Sequence, residues 1–232
     1  MATFVLVHGA WGGSYSWRKV RPLLAAQAHQ AFTPSLTGIG ERAHLTSPQV
    51  DLSLHVQDVV NAIWYEDLRD ITLVGYSYGG MVVSGAIDYV AERVKHVVYL
   101  DAFLPKDGEA LQGLVTDLPE SFPGDWLMPP MQREFEDPAD AEFSAPRRVP
   151  HPRGCFVEPV RLRAPLEDRQ FSLTYIKATG DPRPASGRAA FWDAADRTRN
   201  NPRWRYFEID TNHMVPFNRP ERLAEILLEV SG

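Results

Sequence analysis

Short apolar, β-branched runs alternate along this chain with segments of helical periodicity. Six runs bounded by turn residues are predicted as strands: Thr3–His8, Ala31–Ser35, Ile71–Tyr76, His96–Asp101, Ser172–Ala178 and Trp204–Ile209. Their apolar residues are nearly continuous rather than alternating. That pattern is typical of strands that are covered on both faces in a parallel sheet.

Helical patterns lie between most of these strands. The clearest are Ser16–Ala28, Leu52–Trp64 and a last helix that has Pro220 in its first turn. Strands that alternate with helices predict an α/β fold, here a mostly parallel, doubly wound sheet of about six strands with right-handed crossovers.

One segment interrupts the alternation. Residues 105–166 are rich in proline and carry no strand pattern, but they include apolar side chains that an ordinary linker does not need. Long segments of this kind inside a domain are often lids. We therefore predict a core domain formed by residues 1–104 and 167–232, with residues 105–166 inserted after the fourth strand as a small helical cap. Trp126, Met128 and Met131 are its candidate substrate-binding residues.

Composition narrows the function classes. The 232 residues are 44% hydrophobic and 23% charged, which is ordinary for one globular domain. The net charge of −6 argues against nucleic-acid binding, and no apolar run approaches the roughly 20 residues of a membrane span. One cysteine, Cys155, and a start without a basic leader favour a cytoplasmic protein. Composition does not decide between a monomer and a homodimer.

The pentapeptide Gly75-Tyr76-Ser77-Tyr78-Gly79 lies between a predicted strand and a predicted helix. Gly-x-Ser-x-Gly in that setting is the nucleophile elbow, a strained turn that exposes the serine hydroxyl above a sheet. The two glycines stand where a Cβ would collide as the chain reverses direction. The motif predicts Ser77 as a nucleophile.

A serine hydroxyl needs a base to take its proton and an acid to orient that base. Of seven histidines, only His213 follows a late strand, in a turn that leads to the last helix. Position and required role agree there, so His213 is the predicted base.

The acid has two candidates. Asp181 follows the fifth predicted strand, beside the strand that precedes His213, and neighbouring strands lie about 4.8 Å apart. Asp101 ends the fourth strand and also lies at a carboxyl edge, where sites of open α/β sheets form. Asp210 is only three residues from His213 and is expected to point away. We favour Asp181 and keep Asp101 as the alternative.

Ester chemistry also needs backbone N–H groups that meet the negative charge developing on a carbonyl oxygen. The Tyr78 amide, directly after the nucleophile, is one candidate. Ala10, in the glycine-rich loop after the first strand, is the other. That loop lacks the spacing of nucleotide-binding motifs. Trp11 and Met214, beside these groups, are further candidates for substrate binding.

The motifs together resemble a known family. The opening run 4–13 with Trp17 behind it, the elbow, Thr179-Gly180-Asp181 and Asn212-His213-Met214 resemble small α/β-hydrolases in order and spacing. That group includes plant methylesterases such as the salicylic-acid-binding protein, the hydroxynitrile lyases and bacterial carboxylesterases. The resemblance implies an α/β-hydrolase fold and an acid after the penultimate strand, which supports Asp181.

The sequence therefore predicts a serine hydrolase that cleaves a small, fairly apolar carboxylic ester and needs no metal or cofactor. Two alternatives stay open: a lyase that uses the serine–histidine pair as a base, and a small-molecule receptor that retains the triad. In the family that this chain resembles, the hydroxynitrile lyases have a threonine and a lysine at the positions where this chain has Gly9 and Met214. The resemblance therefore implies that the chain lacks the two groups on which that lyase chemistry depends. The hydrolase is thus the leading hypothesis.

Overall fold

The computed structural model describes residues 1–115, 126–185 and 187–232. Its strands are β1 Thr3–Val7, β2 Gln30–Phe32, β3 Ile71–Tyr76, β4 Val94–Leu100, β5 Leu127–Met128, β6 His151–Pro152, β7 Ser172–Ala178 and β8 Trp204–Ile209. Its α-helices are α1 Val20–Ala26, α2 Leu52–Tyr65, α3 Gly79–Val90, α4 Leu111–Leu114, α5 Pro138–Ser144, α6 Gly154–Val157, α7 Ala190–Arg199, α8 Val215–Asn218 and α9 Pro220–Ser231. Short 3₁₀ helices span Ser14–Trp17, Gly40–Leu45, Ala91–Arg93, Ala145–Arg147 and Leu166–Asp168.

A six-stranded sheet forms the centre of the described structure, in the order β2-β1-β3-β4-β7-β8, and every pairing in it is parallel. The predicted parallel α/β sheet of about six strands is confirmed. Because all six strands run the same way, their carboxyl ends share one edge. The segments that follow β1, β3, β4, β7 and β8 therefore converge at that edge.

Helices cover both faces of this sheet. One apolar core joins α2, α3 and α7 to one face, and a second joins α1 and α9 to the other. Strands β3 and β4 are buried on both sides, with a single exposed position at Lys95. This arrangement explains the nearly continuous hydrophobicity of these strands, since neither face is left to solvent.

Two predicted elements are shorter in the structure. The second strand ends at Phe32 rather than Ser35, because Pro34 has no N–H for the ladder and the Leu36 amide bonds the ring of His8 instead. The first helix starts at Val20 after a 3₁₀ turn, so it is shorter than the predicted Ser16–Ala28.

The segment between β4 and β7 contains α4, α5 and α6 as short helices. It also contains β5 and β6, which pair antiparallel, so the expectation of no strand there is wrong for two short stretches. The division into core domain and cap remains a prediction. Residues 116–125 lie outside the described structure. Within the described residues, each helix is too short or too polar to traverse a lipid bilayer.

Candidate active site

Ser77 lies at the turn between β3 and α3, as the elbow motif predicts. Its φ is +56°, in the left-handed region that a residue with a side chain rarely adopts, and this strain is characteristic of a nucleophile elbow. A Cβ on Gly79 would lie 2.6 Å from the carbonyl oxygen of Val7, so only glycine fits where α3 begins against β1. The local sequence thus forces the hydroxyl out of the turn.

His213 lies in the loop between β8 and α8, and its ring contacts the nucleophile. Its Nε2 is 2.9 Å from Oγ of Ser77, while its Nδ1 is 2.7 Å from Oδ2 of Asp101. An ionised carboxylate only accepts hydrogen bonds, so Nδ1 carries the proton and Nε2 accepts from the serine hydroxyl. This is the geometry of a nucleophile, a base and an orienting acid.

The orienting acid is Asp101, and the prediction of Asp181 is wrong. Asp101 follows β4 directly, and its φ of +38° turns the carboxylate toward the imidazole. Asp181 lies three residues beyond the end of β7, where it is exposed, and its Oδ2 accepts the backbone N–H of His213 at 2.8 Å. Asp181 therefore orients the main chain of the histidine loop, and Asp101 orients the ring.

A buried lysine completes the acid side of the site. Lys177 Nζ lies 2.7 Å from Oδ1 of Asp101, donates to the Ala178 carbonyl and lies 4.5 Å from the centre of the Trp192 ring. Sequence analysis missed this residue. Its signal was a lysine inside an otherwise apolar strand, where an unpaired cation would be costly.

Burial and partners set the charges of the triad. Burial opposes ionisation of Asp101, but the hydrogen bonds and charges of His213 and Lys177 outweigh it, so the pKa of Asp101 lies below its ordinary value. Burial also lowers the pKa of His213, and the bond to Asp101 offsets this only in part. At neutral pH the site therefore holds a carboxylate and a neutral imidazole, which is the protonation state of a general base.

Two further side chains hold His213, one at its ring and one at its main chain. Phe191 stacks on it with ring centres 4.9 Å apart and planes 11° apart. Tyr76 donates its hydroxyl hydrogen to the backbone carbonyl of His213 at 2.7 Å. Hydrogen bonds of both ring nitrogens with Asp101 and Ser77, together with the stacked Phe191 ring, therefore fix the orientation of the imidazole.

The Ala10 and Tyr78 amides remain candidates for the oxyanion hole. Within the described residues neither amide donates a hydrogen bond, and both residues line a cavity that opens on Ser77. The next amide along, that of Trp11, donates to Nδ1 of His151 and is therefore occupied.

Two cavities meet at Ser77. The larger, about 290 Å³, is lined mostly by apolar side chains, among them Phe103, Leu111 and Met131. The smaller, about 30 Å³, is lined by His213 and Met214. Trp11 borders both.

Met131, Met214 and Trp11 thus lie where substrate binding was predicted. Trp126 and Met128 line neither cavity, which corrects the expectation for these two. Met128 is buried, and its carbonyl accepts the indole N–H of Trp11 at 3.0 Å. The backbone carbonyl of Trp126 accepts the N–H of Arg153.

One cluster in the described structure has the composition of a metal site. Donor atoms of His55, His151 and Cys155 lie within 4.8 Å of one another. However, His55 donates from Nε2 to the Thr37 carbonyl and accepts the Tyr78 hydroxyl at Nδ1. Burial raises the pKa of Cys155 and keeps its thiol protonated. The cluster therefore supports the core beneath Tyr78.

Comparisons with known proteins agree with this geometry. Residues 4–226 match the model of the alpha/beta hydrolase family. A carbendazim-hydrolysing esterase of a Nocardioides strain is 36% identical over 98% of both chains. Salicylic acid-binding protein 2 of Nicotiana tabacum is 24% identical over 98% of this chain and 96% of its own. The solved structure of an extracellular α/β-hydrolase from a Paenibacillus species superposes with a TM-score of 0.78 over 99% of both chains, at 24% identity.

Proposed function

The chain belongs to the alpha/beta hydrolase family and is an esterase, and on this premise we propose that it hydrolyses small carboxylic esters with an apolar acyl group through an acyl-enzyme on Ser77. The observation that carries the proposal is the continuous chain of hydrogen bonds from Ser77 through His213 to Asp101, at 2.9 and 2.7 Å.

The reaction begins with attack of the Ser77 oxygen on the ester carbonyl. His213 takes the hydroxyl proton at Nε2, and Asp101 stabilises the imidazolium that forms. The oxygen of the tetrahedral intermediate is placed against the Ala10 and Tyr78 amides. His213 then gives its proton to the departing alcohol oxygen, and a water molecule activated by the same ring releases the acid.

Each of the two cavities binds a different part of the substrate. His213 must reach the leaving oxygen, so the alcohol lies on the side of the smaller cavity, which His213 lines. The acyl group then occupies the larger, mostly apolar cavity, which Ala10 and Tyr78 border. Since a relative that spans the whole chain hydrolyses carbendazim, we propose this compound as a candidate substrate beside simple esters.

Lyase chemistry of the hydroxynitrile type has less support. A Cβ on Gly9 would lie 2.9 Å from Cβ of Ser77, so a threonine hydroxyl has no room there without a shift of the elbow. The residue after His213 is Met214, which carries no charge for a departing cyanide.

Hydrolysis of p-nitrophenyl butyrate tests the proposal. Wild-type protein should release p-nitrophenol, and Ser77→Ala should lower turnover by a factor on the order of 10⁶. Ser172→Ala, which removes an exposed serine at the start of β7, should retain full activity. Equal turnover by both variants would exclude Ser77 as the nucleophile. Cyanide release from mandelonitrile by the wild type, without ester hydrolysis, would favour the lyase.

A further inference from the structure

The smaller cavity beside Ser77 has a charge that the triad does not require. Arg133 and Arg148 both line it, and among the described residues no aspartate or glutamate does. Arg133 also borders the larger cavity, as Ser77 does. The leaving group of an ester would therefore depart into a positively charged space.

Arg133 has no ion-pair partner in the part of the chain that the structure describes. Within the described residues its guanidinium makes no hydrogen bond and no ion pair, although the side chain is only partly exposed. Its charge reaches the catalytic base, because after burial and the bond to Asp101 it is one of the influences on the pKa of His213, which it lowers. Arg133 thus places a positive charge, without a partner among the described residues, beside the general base. The chemistry of the triad does not explain this charge.

Arg148 adds a second cation. One of its nitrogens donates to the carbonyl of Met131, and no described carboxylate pairs with it. Burial lowers the pKa of Arg148, and the nearby charge of Arg133 lowers it further. Two guanidinium groups that repel each other are best accommodated when an anion lies between them.

Ser144 supplies a further polar group to the lining of the smaller cavity. Its hydroxyl is buried and has no hydrogen-bond partner among the described residues, and the residue lines the smaller cavity. A buried hydroxyl without a partner is uncommon, since its desolvation costs free energy that a hydrogen bond normally offsets. An oxygen atom held in this cavity would satisfy it.

We propose that the smaller cavity is an anion subsite, and that the enzyme prefers esters whose leaving alcohol carries a carboxylate. The inference rests on the proposed esterase function. Arg133 binds the carboxylate, because a guanidinium offers paired donors that match its two oxygens. Because this cavity is small, about 30 Å³, we place the carboxylate one carbon away from the ester oxygen, as in a glycolate ester.

A neighbouring arginine shows the contrast with an ordinary surface cation. Arg147 is exposed, lies 3.9 Å from the centre of the Phe143 ring and donates to the Phe143 carbonyl. It lines neither of the two cavities at Ser77. Arg147 therefore provides a matched control for the loss of one positive charge near the same surface.

The test compares two esters of phenylacetic acid. One has glycolate as its alcohol and the other has glycolamide, so the pair differs in charge but hardly in size. Wild-type kcat/KM should favour the glycolate ester by about tenfold, the order expected for hydrogen bonds to a charged group. A ratio of one or below would overturn the proposal.

Variants assign the preference to Arg133. Arg133→Gln should lower the glycolate-to-glycolamide ratio by about tenfold, Arg133→Lys should retain part of it, and Arg147→Gln should leave it unchanged. Equal shifts in Arg133→Gln and Arg147→Gln would reduce the effect to general surface charge and refute the subsite. Circular dichroism checks the folding of each variant.

A measurement on the wild type alone covers the case in which Arg133→Gln does not fold. Glycolate should inhibit hydrolysis of methyl phenylacetate more strongly than glycolamide does, and equal inhibition would count against the subsite. Methyl phenylacetate also separates the two proposals. If the wild type hydrolyses this neutral ester without any preference for glycolate, only the subsite fails. If it hydrolyses no ester at all, the esterase function fails.

Discussion

Lys177 places its ammonium group 2.7 Å from Oδ1 of Asp101, the carboxylate whose other oxygen contacts the catalytic imidazole. Both side chains are almost completely buried. The cation and the neighbouring Ala178 amide, 3.3 Å from the same oxygen, hold the carboxylate in its ionised form at the end of β4. The ionised carboxylate of Asp101 is thus stabilised by Lys177 as well as by His213.

Removal of Lys177 should lower the stability of the fold. Lys177→Met leaves Asp101 buried with one partner fewer, so the free energy of unfolding in urea should fall by about 3–5 kcal/mol. Lys95→Met, at the exposed position of β4, should change it by less than about 0.5 kcal/mol. The double variant Lys177→Met/Asp101→Asn should regain part of the loss, and no recovery would argue that the lysine acts through packing alone.

The two aspartates should differ in their contribution to turnover. Asp101→Asn leaves an amide that favours the wrong imidazole tautomer, so kcat should fall by about 10⁴. Asp181→Asn keeps an oxygen that can accept the His213 backbone N–H, so the loss should be much smaller. Steady-state kinetics on p-nitrophenyl butyrate measures both. The opposite order would indicate that Asp181, after β7, is the orienting acid.

The activity should persist into mildly acidic solution. Burial lowers the pKa of His213 below its ordinary 6.5, so its neutral, basic form survives to a lower pH than that of a free imidazole. As pH falls through the lowered pKa the ring gains a proton and kcat/KM declines. A pH profile should therefore show an acid limb with a midpoint below 6.5. A midpoint above 6.5 would contradict the assigned effect of burial.

Acyl-chain preference should depend on Met131. This side chain borders the larger cavity, so Met131→Ala should raise kcat/KM for p-nitrophenyl hexanoate relative to acetate by about tenfold. Trp126→Ala serves as the control, because Trp126 lies outside both cavities at Ser77 and should leave that ratio unchanged. A change of the ratio in Trp126→Ala alone would restore the original expectation for that residue.

The sheet and the nucleophile could be predicted because they depend on local patterns. Apolar runs specify buried strands, and the elbow needs glycine at fixed positions beside Ser77. His213 followed from its place after the last strand. The acid could not be chosen in this way, since Asp101 and Asp181 both follow strands at the same edge. The choice depends on backbone direction, which the positive φ of Asp101 sets.

Pairings between residues far apart in the chain were harder to predict from the sequence. Lys177 was visible as a charge in an apolar strand, but its partner is 76 residues away. Arg133 was one of many basic residues in a proline-rich segment, and its place at the two cavities, without a partner among the described residues, emerges only from the structure. Trp126 and Met128 were chosen because they are apolar, and apolar residues of a lid serve its own packing as often as they bind substrate.

In the proposed reaction Ser77 forms an acyl-enzyme with the help of His213 and Asp101. Rapid acid quench of Asp101→Asn during turnover of p-nitrophenyl butyrate, followed by peptide mass spectrometry, detects this intermediate. The acyl group should accumulate because p-nitrophenolate departs without a proton from His213, whereas attack of water still needs the disabled base. A butyryl adduct is expected on the peptide that contains Ser77, and no adduct in Ser77→Ala. Ester hydrolysis that persists in Ser77→Ala, or a butyryl group on another residue, would contradict this mechanism.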